Sequence, residues 1–335
     1  MVLVNNVYSE SKNVPYGVPQ GSVDGPQIFK IYLLPLFKLL KKLGFKFHIY
    51  ADDSQIYISF IPSDFIHNAA RMTSAYKIIS NFLSFMFLKL NHSKTQITLI
   101  GSEVSVSKCK SIIPALNLGD SLVTFSEFVK NLGVTFDETL SFKKHIKSTS
   151  NNCMYHLRNL LNIRPYFTKS SFEIAIHALI TTRLDYCNSL FSGLPKATLR
   201  PLQTAQNFAA RIVLHRGKFC HITPLLKELH WLPIESRIDF KVLLFVYKAR
   251  NNLAPPYLSS LLSSSTSGRS LRSSTRNELI IPRSHKCSMG DRAFSIYGPK
   301  LWKTLPEDIK DSPSLSIFKT KLKTFIFSAY FCQSH

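Results

Sequence analysis

The sequence predicts an α+β chain, with a short antiparallel sheet and helices on one of its faces over residues 1–140, then an all-helical region over 141–258. Two observations lead there. Phe45–Tyr50 and Gln55–Phe60 alternate apolar and polar residues around Ala51-Asp-Asp-Ser54, the pattern of two half-buried strands meeting at a hairpin tip. From about Ser141 onward the apolar residues recur three and four apart instead, the spacing of one helix face. A Ser-rich run over 259–278 reads as a linker, and the basic C-terminal segment 279–335 as a flexible tail.

Taken in order, Val2–Val7 is an extended apolar stretch that enters a Gly/Pro-marked turn before residue 24. Pro26–Leu43 has helical spacing, with Pro26 suited to the first turn and Gly44 to the stop. A second helix fits Asp64–Leu88 through Phe65, Ala69, Met72, Tyr76, Ile79, Leu83 and Met86. Gln96–Ile100 reads as a strand, and Phe128–Phe136 as a short apolar stretch turned at Gly133. Beyond these, helices fit His145–Ile163, Lys196–Leu214 and Ser236–Asn251. Another is expected to be capped by Ser170 and Glu173.

The balance of 42 Lys+Arg against 20 Asp+Glu gives a formal net charge of +22. A small-molecule enzyme has little use for that excess, whereas a polyanion-binding surface does. Residues 1–100 contain 10 basic and 5 acidic side chains, so most of the excess lies after them. The six cysteines are far apart and form no C-x-x-C pair, so they read as reduced thiols of a nuclear or cytoplasmic chain that is not secreted. Cys220, His221 and nearby His215 lack the paired spacing of a zinc site. No apolar stretch reaches the length of a membrane span, so no membrane partner is expected.

The Asp52–Asp53 doublet is the chemical centre. Two-metal nucleotidyl transfer needs closely grouped carboxylates, and a tight hairpin tip projects neighbouring side chains toward one spot. Upstream, Gly17-Val-Pro-Gln-Gly-Ser22 allows close backbone approach to a ligand, and Gln20 has the groups to hydrogen-bond a base edge or sugar. Each feature is weak alone. In order, Gly17–Ser22, a helix, and Tyr50-Ala-Asp-Asp53 resemble motifs B and C of reverse transcriptases. The likeness continues with Leu90-Asn-His-Ser-Lys-Thr-Gln96, Asn131-Leu-Gly-Val-Thr-Phe-Asp137 and Leu140-x-Phe-x-x-His145, which are similar to later segments of LINE-type (non-LTR retrotransposon) enzymes, nearest CR1/L2-like or Jockey-like elements.

The resemblance implies a reverse-transcriptase palm over residues 1–140 and a helical thumb-like region after it. Asp52 and Asp53 would be the catalytic and metal-binding acids, with Mg²⁺ as cofactor. Gln20, Gly21 and Ser22 would line the nucleotide and template. Lys94 would stand near the leaving pyrophosphate as a general acid, and Leu132 and Gly133 would form the primer grip. The partners implied are an RNA template, a DNA primer and the RNA–DNA hybrid. In such enzymes the first catalytic aspartate precedes motif B, yet Glu10 and Asp24 are the only acidic residues before Asp52 here. Asp24 reads as a helix N-cap or dipole partner. The expectation is therefore a C-terminal fragment of an RNA-directed DNA polymerase, inactive alone and using dNTPs only if complemented. The alternatives are a non-catalytic basic RNA- or DNA-binding remnant and a decayed reading frame that barely folds. Arg292–Pro306 and Phe318–Phe325 are similar to the C-terminal end of such elements. There Trp302 reads as a packing anchor, and Lys319, Lys321 and Lys323 as phosphate contacts or a solvated face.

Overall fold

The computed structural model describes residues 3–4, 7–10, 21–119, 121–263, 279–284 and 289–332. They fall in two compact units, residues 1–127 and residues 128–335.

The first unit begins with the small antiparallel pair β1 (Leu3–Val4) and β2 (Val7–Tyr8). The single helix expected over Pro26–Leu43 is two, α1 (Gly25–Tyr32) and α2 (Leu34–Lys42). Pro35 is the cause. It has no N–H to give, and its ring crowds the carbonyl four residues back at Ile31, so the ladder restarts with Pro35 in the first turn of α2. Strands β3 (Lys46–Tyr50) and β4 (Asp53–Tyr57) follow, then the long helix α3 (Phe65–Phe85). Leu36, Leu40, Phe45, Ala75, Ile79 and Leu83 make one small core between α2, α3 and the base of the hairpin.

A second small core forms where α3 meets α4 (Glu103–Ile112) and the hairpin of β5 (Ala115–Leu118) and β6 (Ser121–Thr124). Gln96–Ile100 is not a strand; it contributes one parallel bridge, Ile97 to Phe125, with Ser126 N–H donating to Ile97 O at 2.7 Å.

The second unit opens with a hairpin of β7 (Phe128–Asn131) and β8 (Val134–Asp137). It continues through α5 (Lys143–Ile163) and α6 (Lys169–Ile176), which a π-turn joins to α7 (Thr182–Asp185). Then come α8 (Lys196–Val213), α9 (Ile222–Glu228), α10 (Ile234–Arg250) and α11 (Pro256–Ser259). Helix α5 packs along α8, where Ala205 and Ala209 are small enough to let Cys153 and Leu157 bury completely. Thr168, not Ser170, caps α6, its Oγ1 accepting from Ser171 N–H at 3.2 Å. Glu173 is otherwise engaged, accepting from Trp231 Nε1 at 3.1 Å.

The C-terminal segment corrects the expectation of a flexible tail. Residues 289–332 form α12 (Phe294–Lys303), α13 (Glu307–Lys310) and α14 (Leu315–Cys332). Trp302, Leu305, Ile309, Phe318 and Leu322 bury against Leu243, Val246 and Tyr247 of α10. The Phe318 ring stacks on Tyr247 with centroids 4.1 Å apart, and Trp302, 3% exposed, is a packing anchor as read. Lys319, Lys321 and Lys323 are exposed, and Lys321 Nζ donates to Asp308 O at 2.8 Å.

The protein is thus α+β, with small hairpin sheets and a mostly helical C-terminal half. Its strands do not merge into one sheet; among the described residues each pairs only with its neighbour in sequence. Four described cysteines are free thiols, with Cys109 and Cys153 buried, Cys187 half-buried and Cys220 exposed. Burial pushes the Cys153 thiol up to about 11, marking it as an inert core group. No helix among the described residues is long and apolar enough to cross a membrane.

Candidate active site

The β3–β4 hairpin pairs Tyr50 with Asp53, so its turn is the two residues Ala51 and Asp52, tighter than the four-residue tip expected. Phe47, Ile49 and Ile56 face the α2–α3 core and hold the strands down. Tyr50 and Asp53, opposite each other, share the outer face, and Asp52 stands at the tip. Both carboxylates are exposed. Ala51 has φ +53°, a left-handed conformation that costs a residue with a Cβ about 1–2 kcal/mol. A glycine is the usual occupant of that first turn position. Strain of this kind gathers at functional sites, so Ala51 joins the doublet as a residue of interest that no sequence pattern disclosed.

In donor type, two aspartates suit Mg²⁺. In number they fall short of a two-metal site. Among the described residues no group of three or more His, Cys, Asp or Glu side chains is placed to hold an ion.

Gln20 lies outside the described residues, as does the rest of Gly17–Gln20. Gly21, at φ +90°, needs the freedom of glycine, and Ser22 Oγ accepts from Gly25 N–H at 3.1 Å to start α1. Asp24 occupies the N-cap position without a side-chain cap bond, which leaves it the dipole role. In Leu90–Gln96 the polar residues build a turn. Asn91 Oδ1 accepts from Lys94 N–H at 3.3 Å, and Thr95 Oγ1 donates to Asn91 O at 3.0 Å. Lys94 is left exposed on that turn, in the same unit as the doublet.

Leu132 and Gly133 form the two-residue turn of β7–β8, with φ +44° and +82°. Positive φ at both positions is the primed turn that follows strand twist, and glycine suits the second. Tyr186 Oη donates to Leu132 O at 2.6 Å, fixing the turn from the helical side. Asp137, the last residue of the motif, staples the exit. Burial draws its pKa up, but bonds from Ser141 N–H, the Thr139 hydroxyl and Phe142 N–H outweigh it and hold the carboxyl below its ordinary value. Its bond from Phe142 N–H is 2.6 Å. His145 is 9% exposed, and burial, then the Lys130 charge, lower its pKa. The neutral ring accepts from Thr135 N–H through Nδ1 at 3.3 Å. Asp137 and His145 of the family-like pattern therefore have scaffold roles.

Arg292, from the C-terminal segment, reaches this loop. It donates to Leu140 O at 2.9 Å, Ser192 O at 3.2 Å and Leu190 O at 3.5 Å, with its guanidinium over the Phe142 ring. Gly193 makes room for it, since a Cβ there would lie 2.8 Å from Arg292 Cγ. In the sequence this arginine stands at the head of the family-like segment Arg292–Pro306, but nothing there shows what it contacts.

Residues 2–136 match the family model of the reverse transcriptase (RNA-dependent DNA polymerase). Over these residues the chain is similar to a reverse transcriptase domain. It is related to the RNA-directed DNA polymerases of non-LTR retrotransposons. A probable RNA-directed DNA polymerase from transposon BS of Drosophila melanogaster is 26% identical over 249 residues, which is 71% of this chain and 27% of that protein. The retrovirus-related Pol polyprotein from type-1 retrotransposable element R1 of Bradysia coprophila is 25% identical over 134 residues, 40% of this chain and 13% of that polyprotein. The chain thus spans about a quarter or less of the length of these relatives. An alignment of 249 residues is too long for residues 1–127, so the likeness to the transposon BS protein extends into the helical unit of this reverse transcriptase relative. No solved structure matches the chain.

Proposed function

We propose that the chain is part of an RNA-directed DNA polymerase that extends a DNA primer on an RNA template, with Asp52 and Asp53 as its acidic pair. The observation that supports this most is the hairpin itself: two adjacent carboxylates on a strained two-residue tip, in a segment that matches the reverse transcriptase family. In this reading residues 1–140 are palm, and 141–258 are thumb that holds the hybrid by phosphate contacts. Gln20, Gly21 and Ser22 line the templating base, Leu132 and Gly133 grip the primer, and Lys94 places a cation toward the leaving pyrophosphate. Bound Mg²⁺ would supply charge stabilisation for nucleotidyl transfer, and Asp52 and Asp53 are the residues to hold it.

The pair needs a further carboxylate, because among the described residues no group of three acidic or other metal-ligating side chains is placed to hold an ion. Among the described residues β3 and β4 pair with each other alone, and in this reading a strand bearing that carboxylate adds beside the hairpin. Alone, the chain is expected to bind the hybrid without extending it.

Primer extension on an RNA template with dNTPs and Mg²⁺, comparing the chain with Asp52→Ala, tests the reading. Extension that vanishes in the variant would establish the acidic pair and correct the expected inactivity. Extension unchanged in the variant would sink the assignment of the pair. A folded, hybrid-binding protein that extends nothing in any mixture supplied with upstream polymerase segments would leave the second reading, a non-catalytic RNA- or DNA-binding protein, which the net charge of +22 favours.

A further inference from the structure

Two stretches of the helical unit, residues 139–172 and 186–227, contain no Asp or Glu at all, and each contains six Lys or Arg. They include α5 and α8, which pack against each other. At one end of that pair the buried Arg164 ties the stretches together. Its Nε donates to Ile212 O at 3.2 Å and its Nη2 to Val213 O at 3.0 Å, capping α8, while Nη1 donates to Phe167 O at 2.8 Å. The turn after α5 is thereby fixed beside the loop after α8, His215-Arg-Gly-Lys-Phe-Cys-His221, every residue of which is exposed.

Each of the two segments presents an aromatic ring to solvent. Phe219 is 96% exposed and Tyr166 is 87% exposed, and these are the two most exposed aromatic side chains described in residues 128–335. Phe219 gains nothing from this placement in the isolated chain, since a phenylalanine in water forgoes the burial that would stabilise it by roughly 2–3 kcal/mol. Arg216 and Lys218 precede it within three residues, with no carboxylate in the loop. An aromatic face beside cations is the arrangement that stacks an unpaired base while holding its phosphates.

We propose that this end of the helical unit binds single-stranded nucleic acid, with Phe219 and Tyr166 stacking on bases and Arg216 and Lys218 contacting phosphates. Duplex hides its base faces in its own stack, so the rings distinguish single strands from duplexes, whereas the cations serve both. The site owes nothing to Asp52, and Asp52→Ala is the control that keeps it apart from the polymerase reading.

The test is fluorescence anisotropy of the full chain with labelled oligo(dT), oligo(U) and a blunt duplex of mixed sequence, over a range of salt. The double variant Phe219→Ala/Tyr166→Ala is expected to weaken single-strand binding about tenfold or more, and duplex binding hardly at all. Arg216→Gln/Lys218→Gln is expected to weaken both and to lower the single-strand salt slope by about 1.4, the share of two phosphate contacts. All four side chains are exposed, so unchanged thermal unfolding of the variants is expected and serves as the folding check. Single-strand binding untouched by loss of both rings would overturn the proposal, leaving a diffuse electrostatic surface. So would Phe219-dependent binding to anionic phosphatidylserine vesicles with none to oligonucleotides, which would make this a membrane-surface loop.

Discussion

Of the twelve largest fully buried side chains among the described residues, Leu40 alone lies in residues 1–127, while the other eleven, Phe172 and Phe318 among them, lie in residues 128–335. The first unit holds its hairpins on two small cores and sets its acidic doublet on an exposed turn. The second runs one large core from Val134 to Phe331 and adds another through the C-terminal helices. The acidic doublet and the large, fully buried core thus lie in different units, and each is probed by its own measurement.

The largest expected effect breaks the second unit. Phe172→Ala should cost about 3–5 kcal/mol, because the ring is fully buried and no neighbour can collapse into its volume without disturbing α5, α6 and α8. Both tryptophans, Trp231 and Trp302, are buried in that unit, so tryptophan fluorescence reports its unfolding alone. In urea the fluorescence midpoint should fall in the variant, while an earlier far-UV circular dichroism phase from the first unit should stay in place. A single transition shared by both signals in the parent protein would show that the units unfold as one and would remove the contrast.

Next in size is Arg292→Ala, expected to destabilise the second unit by about 2 kcal/mol through loss of charge-assisted bonds to three carbonyls. Arg292→Lys should recover only part, since an ammonium cannot fork to three acceptors set for a guanidinium. Thermal unfolding followed by tryptophan fluorescence reads both. Equal stability of all three proteins would mean that the C-terminal helices hold by their apolar core alone.

A smaller effect depends on pH. The Asp137 carboxyl sits below its ordinary value in the folded chain, so the stabilisation it gives is fully present above the unfolded carboxylate pKa of about 3.9. It is lost as the pH falls through the lower folded value. Asp137→Asn should therefore cost about 1 kcal/mol near neutral pH, and the gap from the parent should close below about pH 4. A gap that persists in acid would assign the cost to shape and not to charge.

How much of this was legible in the sequence depended on whether a single local rule governed the residue. Alternation gave the β3–β4 hairpin and its doublet, and Gly133 gave the β7–β8 turn, because strand period and positive φ leave direct marks. Helix α4 and the β5–β6 hairpin leave fainter marks, such as the Ser102 that caps α4 at Ser105 N–H and the three-residue spacing of buried Val106 and Cys109. The C-terminal helices are masked in the sequence because Lys319, Lys321 and Lys323 obscure the apolar spacing of Phe318, Leu322 and Phe325. The contacts of Arg292 and the exposure of Phe219 are not legible in the sequence. Both are matters of contact, or of the lack of burial, across large separations in sequence.

The smallest effect concerns two hairpins that share a strained backbone. Ala51→Gly removes the cost of a Cβ at φ +53°, roughly 1–2 kcal/mol, and adds about 0.5–1 kcal/mol of backbone entropy to be lost on folding. The net expectation is a gain of up to about 1 kcal/mol in the first unit, read by its circular dichroism phase. Leu132→Gly should give a similar gain in the second, where Tyr186 already holds the turn carbonyl. The variants should part in amide hydrogen exchange. At Leu132 the Tyr186 bond keeps the turn closed, whereas among the described residues no side chain bonds the Ala51–Asp52 turn beyond its own strand pairing, so exchange at 52–53 should quicken even as the unit grows more stable. Faster exchange with higher stability would place the strain where it orients the acidic pair. Lower stability would mean instead that the Ala51 methyl makes a packing contact worth more than the strain, and that the tip is an ordinary turn.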